Sequence, residues 1–200
     1  MYSVKKYRNI PRAKRKINPA KLDAGDFILL KTKKTSIVPG NFDHVVLYCG
    51  RVEKNEKIWD RDNERFMSPG THYVIHSTRR AGNGLGYSTL TTTLKDIEDA
   101  KPIEVLDLSS AEKQNAVRFL KSQLLNKSGN PIGPKYNRNW FSKQEGPENN
   151  KYYCSEAIWS AYKHCCNIDL DPNGESWKWN RAKGIAPDDL LDTKLTRIIS

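Results

Sequence analysis

Two hundred residues with 37% apolar side chains, five Trp, nine Tyr and five Phe describe a globular protein with one well-filled core, and exclude a disordered chain. No apolar run approaches the roughly 18 residues of a membrane span. The formal charge of +11 is concentrated in residues 1–21, which hold eight Lys and Arg and no Asp or Glu, leaving +3 for the remainder. The expected organisation is therefore a basic N-terminal tail, 1–21, and a single domain, 22–200. The opening MYSVKKYRNIPRAKRKINPAK has no following apolar segment of a secretory signal, so the protein is expected in the cytoplasm unless a signal has been removed. A tail of this charge suits an anionic polymer, whether nucleic acid, teichoic-type wall polymer or lipid headgroups, or serves as a solvated extension. No RNA-binding or helix-turn-helix signature accompanies it.

After the tail, Ala24-Gly25-Asp26 signals a turn and Phe27 to Leu30 an apolar strand. Pro39-Gly40-Asn41 marks a second turn, and His44 opens a strand through Val45 to Cys49. The charged stretch from Glu53 to Gly70 predicts a hairpin excursion. HYVIHST, 72–78, predicts a third strand with His72, Val74 and His76 on one face and Tyr73 and Ile75 on the other. The glycine-rich RRAGNGLGYSTL, 79–90, reads as a loop, and KPIEVLDL, 101–108, as a fourth strand. The period then changes: Ala116, Val117, Leu120, Leu124 and Leu125 form a helical stripe, with Ser109 and Glu112 spaced as a capping box. A long polar loop carries Tyr136, Trp140 and Phe141. Cys154, Ala157, Ile158, Ala161 and Cys165 make a second helical stripe headed by Cys154. A PDDL turn, which Asp188 and Asp189 are expected to cap or order, and a last strand near Leu195 to Ile199 close the chain. The inventory is an antiparallel sheet followed by helices, an α+β fold.

Cys49, Cys154, Cys165 and Cys166 lack the spacing of a disulfide framework, and no CxxC pair offers a zinc site. His44, His72 and His76 have no carboxylate at a matching spacing, so no metal or other cofactor is expected. A cysteine at a helix head is different. The partial positive charge there favours thiolate, and the free N–H groups can hold an oxyanion. A strand-opening His44 and a polar residue in the neighbouring strand, His76, complete the parts of a Cys-His-polar triad. The alternative for each residue is structural: Cys154 as a small core residue, His44 and His76 as histidines satisfied by backbone.

The ordered series GDFILLK, FDHVVLYCG, YVIHST with GNGLGYSTL, YYCSEAIWSAY and GIAPDDLL resembles the circularly permuted branch of the NlpC-type papain-like amidases, often called YiiX- or YaeF-like. In that branch the histidine strand precedes the cysteine helix, as it does here. The resemblance covers about Gly25 to Leu191. It implies a permuted papain-like fold, an antiparallel sheet or barrel packed against helices, and a cysteine peptidase or amidase. Cys154 matches the nucleophile and His44 the base. The orienting position falls on His76, where permuted members often have Glu; Ser77 is its neighbour and the alternative. The resemblance also implies that Tyr152, Tyr153 or Tyr136 borders the oxyanion or the substrate groove. The implied substrate is a peptide or other amide, with cell-wall peptide leading. Lipid or thioester acyl transfer on the same core, as in lecithin-retinol-acyltransferase-like proteins, is the alternative chemistry, and a non-catalytic binder of anionic polymer the alternative class.

Overall fold

The computed structural model describes residues 17–32, 40–79, 84–124, 133–141, 143–171, 184–191 and 193–200. Most of the basic tail (1–16), Pro39 of the second turn and Leu125 of the first helical stripe lie outside them. In chain order the strands and helices are β1 (Phe27–Thr32), β2 (His44–Arg51), β3 (Trp59–Asp60), β4 (Arg65–Phe66), β5 (His72–Thr78), β6 (Gly84–Thr89), α1 (Leu90–Thr93), β7 (Ile97–Val105), α2 (Ser110–Gln123), β8 (Lys135–Tyr136), β9 (Lys151–Tyr152), α3 (Cys154–Cys166) and β10 (Thr196–Ile198). Short 3₁₀ turns cover Pro19–Lys21 and Pro187–Leu190. The first of these follows Ile17, which packs against the body of the protein.

The strands form one sheet in the order β10-β7-β1-β2-β5-β6-β3-β4, with β8 beside β6 and β9 beside β8. The ladders among β10, β7, β1, β2, β5 and β6 are antiparallel. Alternation sorts their side chains between two apolar layers. Phe27, Leu29, Val45, Leu47, Tyr73, Ile75, Ile103 and Val105 face α2 and α3 and meet Ala116, Leu120, Ala157, Ile158 and Ala161. Ile28, Leu30, Val46, Tyr48, Val74 and Ala100 form the second layer with Leu22 and Leu90. The two helical stripes are thus the inner faces expected of amphipathic helices. Ser109 caps α2, its hydroxyl accepting from the Glu112 N–H while the Glu112 carboxylate accepts from the Ser109 N–H at 2.8 Å.

The hairpin expected between Glu53 and Gly70 is present as the antiparallel pair β3–β4. Of the loop expected over 79–90, residues 80–83 lie outside the described ones, and Gly84 to Thr89 are strand instead: they form β6, paired along its whole length with β5 from Thr78↔Gly84 to Tyr73↔Thr89. The glycines misled because they act here by lacking a side chain inside a strand. A Cβ at Gly86 would lie 2.7 Å from the Arg61 guanidinium, which crosses under the strand.

Gly25-Asp26 is the joint between sheet and helices. Gly25 has φ +105°, and a Cβ there would come within 2.6 Å of the Lys113 Cβ. The Lys113 ammonium meets the buried Asp26 carboxylate at 3.0 Å, and the Tyr162 hydroxyl donates to the Gly25 carbonyl. The turn that opens β1 therefore clamps both α2 and α3. Burial pushes the Asp26 carboxyl upward, against the Asp23 N–H and Lys113, which lower it.

Candidate active site

Tyr153 is extended (φ −88°, ψ 171°) and Cys154 is the first residue of α3. The helix head is fastened from both sides. The Ser77 hydroxyl, at the end of β5, donates to the Tyr152 carbonyl at 2.5 Å, and the Ser155 hydroxyl donates to the Ile185 carbonyl at 2.7 Å. The Tyr153 hydroxyl accepts from the Ile185 N–H at 3.0 Å, and the Tyr152 hydroxyl donates to the Gly146 carbonyl at 2.9 Å. Both tyrosines are buried.

The ladder between β2 and β5 ends at Leu47↔Ile75, so the first residues of β2 separate from β5. The Tyr48 N–H bonds Asp26 on the β1 side, so by alternation the Val45 N–H faces the gap. Cys154 occupies that gap, and the Val45 N–H supports its sulfur. The thiol therefore sits against the residue that follows His44.

His44 and His76 lie on the same face of adjacent strands and meet, His44 Nε2 to His76 Nδ1 at 2.7 Å. His76 continues through Nε2 to the Ser88 hydroxyl on β6 at 2.8 Å. His76 and Ser88 are buried and His44 is half-buried. Burial first, then the Arg61 and His44 charges, holds His76 well below the ordinary histidine range, so it is neutral at pH 7. Arg61 enters from the turn after β3 and bonds the carbonyls of Gly84 and His76, the latter at 3.2 Å.

Helix-head position predicts a thiol biased toward thiolate, yet burial pushes the Cys154 thiol up to about 11. The N–H groups of Val45, Ser155 and Cys154 work in the opposite direction and lose to desolvation. Burial thus favours the neutral thiol over the thiolate at the helix head.

Three participants escaped the sequence reading. Ser88 was concealed inside the supposed loop. Asp188, expected only to order its own turn, spans to the loop before His44: its carboxylate accepts from the N–H groups of Asn41 at 2.6 Å and Phe42 at 2.9 Å. Gly40 (φ +118°) lets the chain pass there, since a Cβ would lie 2.5 Å from that carboxylate. Asp189 performs the expected capping, accepting from the Ala186 N–H at 2.5 Å.

The third is Glu156, fully buried on the first turn of α3. It accepts from the N–H groups of Tyr153 (3.1 Å) and Gln144 (3.0 Å) and from the side-chain amides of Asn137 (3.0 Å) and Asn149 (3.3 Å). One carboxylate thereby ties the aromatic loop to the nucleophile helix. Burial outweighs these four donors and raises the carboxyl to about 7. The folded value lies above the unfolded one near 4.5, so the stability it contributes is complete below pH 4.5 and is lost as pH rises through about 7. Urea titrations of wild type and Glu156→Gln are expected to show the wild-type advantage shrinking by up to about 3 kcal/mol across that interval. A pH-independent difference between the two would contradict a titrating buried carboxyl.

Tyr136 on β8 lies beside Tyr152 of β9 and close enough to Cys154 for the two to interact electrically. Burial, then Cys154, raises its phenol, so it stays protonated. Cys49 is buried, while Cys165 and Cys166 are half-buried at the far end of α3, and the His164 ring packs on Phe119 at 5.0 Å. His72, on the face of His76, instead bonds the Tyr48 hydroxyl at 2.5 Å. Among the described residues no three His, Cys, Asp or Glu side chains converge as a metal site.

A cysteine heading a helix over a sheet, with its histidine on an earlier strand, is the layout of a papain-like cysteine hydrolase in permuted order. The model of the permuted papain-like amidase enzymes, YaeF/YiiX, C92 family, matches residues 21–199, and the chain belongs to that family of papain-like cysteine peptidases and amidases. The chain is 26% identical over 114 residues to the uncharacterized protein YycO of Bacillus subtilis (strain 168), a match covering 57% of this chain and 40% of that protein. Thus it spans less than half the length of that relative. The crystal structure described as metalloprotein yiiX, from Escherichia coli O157:H7, superposes with a TM-score of 0.58 at 14% identity, covering 90% of this chain and 97% of that one. That likeness supports the permuted papain-like fold.

Proposed function

We propose that the protein is a cysteine hydrolase that cleaves an amide bond, with Cys154 as nucleophile, His44 as base and His76 as the residue orienting His44. The supporting observation is the side-chain chain from Ser88 through His76 to His44, ending one residue from the N–H that holds the Cys154 sulfur. In the working tautomer, His44 Nε2–H donates to His76 Nδ1, and His76 Nε2–H donates to Ser88. His44 Nδ1 is then the atom that takes the thiol proton. Attack by the sulfur on the carbonyl carbon gives a tetrahedral oxyanion, which the N–H groups at the α3 head stabilise. His44 returns the proton to the departing amine, leaving a thioester, and then activates the water that hydrolyses it. A neutral orienting histidine fixes the ring of His44 without the charge that an Asp or Glu would bring.

Cell-wall peptide is the substrate class to test first, on the strength of the family resemblance. Tyr136, paired with Tyr152 next to the helix head and carrying an un-ionised phenol, is the residue proposed to wall the substrate site. The decisive measurement is labelling of the native protein by an electrophilic probe, followed by mass mapping. Cys154 should label faster than Cys49, Cys165 and Cys166 despite its burial. Labelling of Cys154 no faster than the half-buried Cys165 and Cys166 would end this reading.

A further inference from the structure

We infer that Arg79, Trp140 and Tyr136 form a subsite for a free carboxylate on the substrate, so that the enzyme acts on amides with an acidic group flanking the scissile bond. The inference rests on the assignment of Cys154 as nucleophile and deepens it.

Arg79 directly follows β5, the strand that carries His76 and fastens the helix head through Ser77. Its guanidinium carbon lies 4.3 Å from the Trp140 ring centroid and 5.4 Å from that of Tyr136. Tyr136 pairs with Tyr152, two residues before Cys154, so its strand links the cation to the helix head. The loop bearing Trp140 is held to the helix head by the Glu156 hydrogen bonds to Asn137 and Gln144. The arginine is thus set beside the nucleophile by two aromatic rings on a fastened loop.

Beside these rings one guanidinium N–H donates to the Tyr136 hydroxyl, and its other N–H edges remain for a ligand. Those edges match a carboxylate in a bidentate pair. Arg79 is exposed, and among the described residues no Asp or Glu forms an ion pair with it. Two other arginines do meet a carboxylate, Arg197 with Glu104 and Arg61 with Asp62 at 3.9 Å. What sets Arg79 apart is its place over two aromatic rings of the loop fastened to the α3 head, where a substrate carboxylate would complete the pair.

Two isosteric thiol reagents test this without knowledge of the substrate. Iodoacetate and iodoacetamide both transfer a two-carbon group to sulfur with loss of iodide, and differ in carrying a carboxylate or a neutral amide. The ratio of their second-order rates at Cys154 should favour iodoacetate in the wild type. That ratio should fall about 10-fold or more in Arg79→Met, the size expected for a lost charge-assisted hydrogen bond. Arg79→Lys, which keeps the charge without the fork, should give an intermediate ratio. Because each ratio is taken within one protein sample, differences in the folded fraction cancel. An unchanged ratio in Arg79→Met, with Cys154 still fast toward both reagents, overturns the carboxylate subsite alone. Slow reaction of wild-type Cys154 with both reagents overturns the nucleophile assignment and the subsite with it.

Discussion

Cys154→Ala is expected to abolish amide hydrolysis while leaving a folded protein. The covalent path passes through the sulfur, and removing a nucleophile from a catalytic unit of this kind lowers kcat by about 10⁶-fold. The fold should survive because the site demands little of the side chain beyond small size. Ala is the best helix former, and the fastenings of the helix head run through Ser77, Ser155, Tyr153 and Glu156 rather than through Cys154. The variant should match wild type in its circular dichroism and urea midpoint to within about 1 kcal/mol, since only one buried atom is lost. Amide hydrolysis at the wild-type rate in Cys154→Ala would refute the proposed chemistry outright. Loss of activity together with loss of fold would show instead that the cysteine is structural.

His44→Ala should lower kcat/KM by about 10²–10⁴-fold, the usual contribution of a positioned general base. The structure makes a second demand of this variant. Since burial raises the thiol to about 11, little thiolate exists at neutral pH without a local proton acceptor. Alkylation of Cys154 in wild type should therefore follow the protonation state of the imidazole pair. In His44→Ala the rate should fall at pH 7 and recover only as pH approaches the thiol's own raised value. An alkylation profile identical to wild type would separate His44 from Cys154. His76→Asn, able to accept from His44 Nε2–H, should retain more activity than His76→Leu if His76 works by orienting.

The elements of the fold were largely legible. Apolar runs behind turn signals marked β1 and β2, alternation marked β5, and the 3.6-residue stripes marked α2 and α3 with the correct inner faces. The capping box at Ser109 and Glu112 located the start of α2 to the residue. Strand β6 was not legible, because Gly84 and Gly86 carry the signature of a loop while serving close packing, and Ser88 went unseen with them. Glu156 carried no capping signal, since its box partner position holds Tyr153 rather than Ser or Thr. Asp188 looked like a residue of its own turn because its targets, Asn41 and Phe42, lie at the other end of the chain.

Periodicity, composition and motif order are local properties, and they determined the α+β class, the helix-head cysteine and the candidate histidines. What the sequence by itself could not decide was the balance of fields around those groups. Only the packed structure buries Cys154 deeply enough for desolvation to overcome the helix head, and only there do burial first and the Arg61 charge second keep His76 neutral. Only there does the early end of the β2–β5 ladder open a place for the thiol beside Val45. Each of these depends on the summed distances of segments far apart in the chain. Desolvation and charge act through space, and no pattern along the sequence records them.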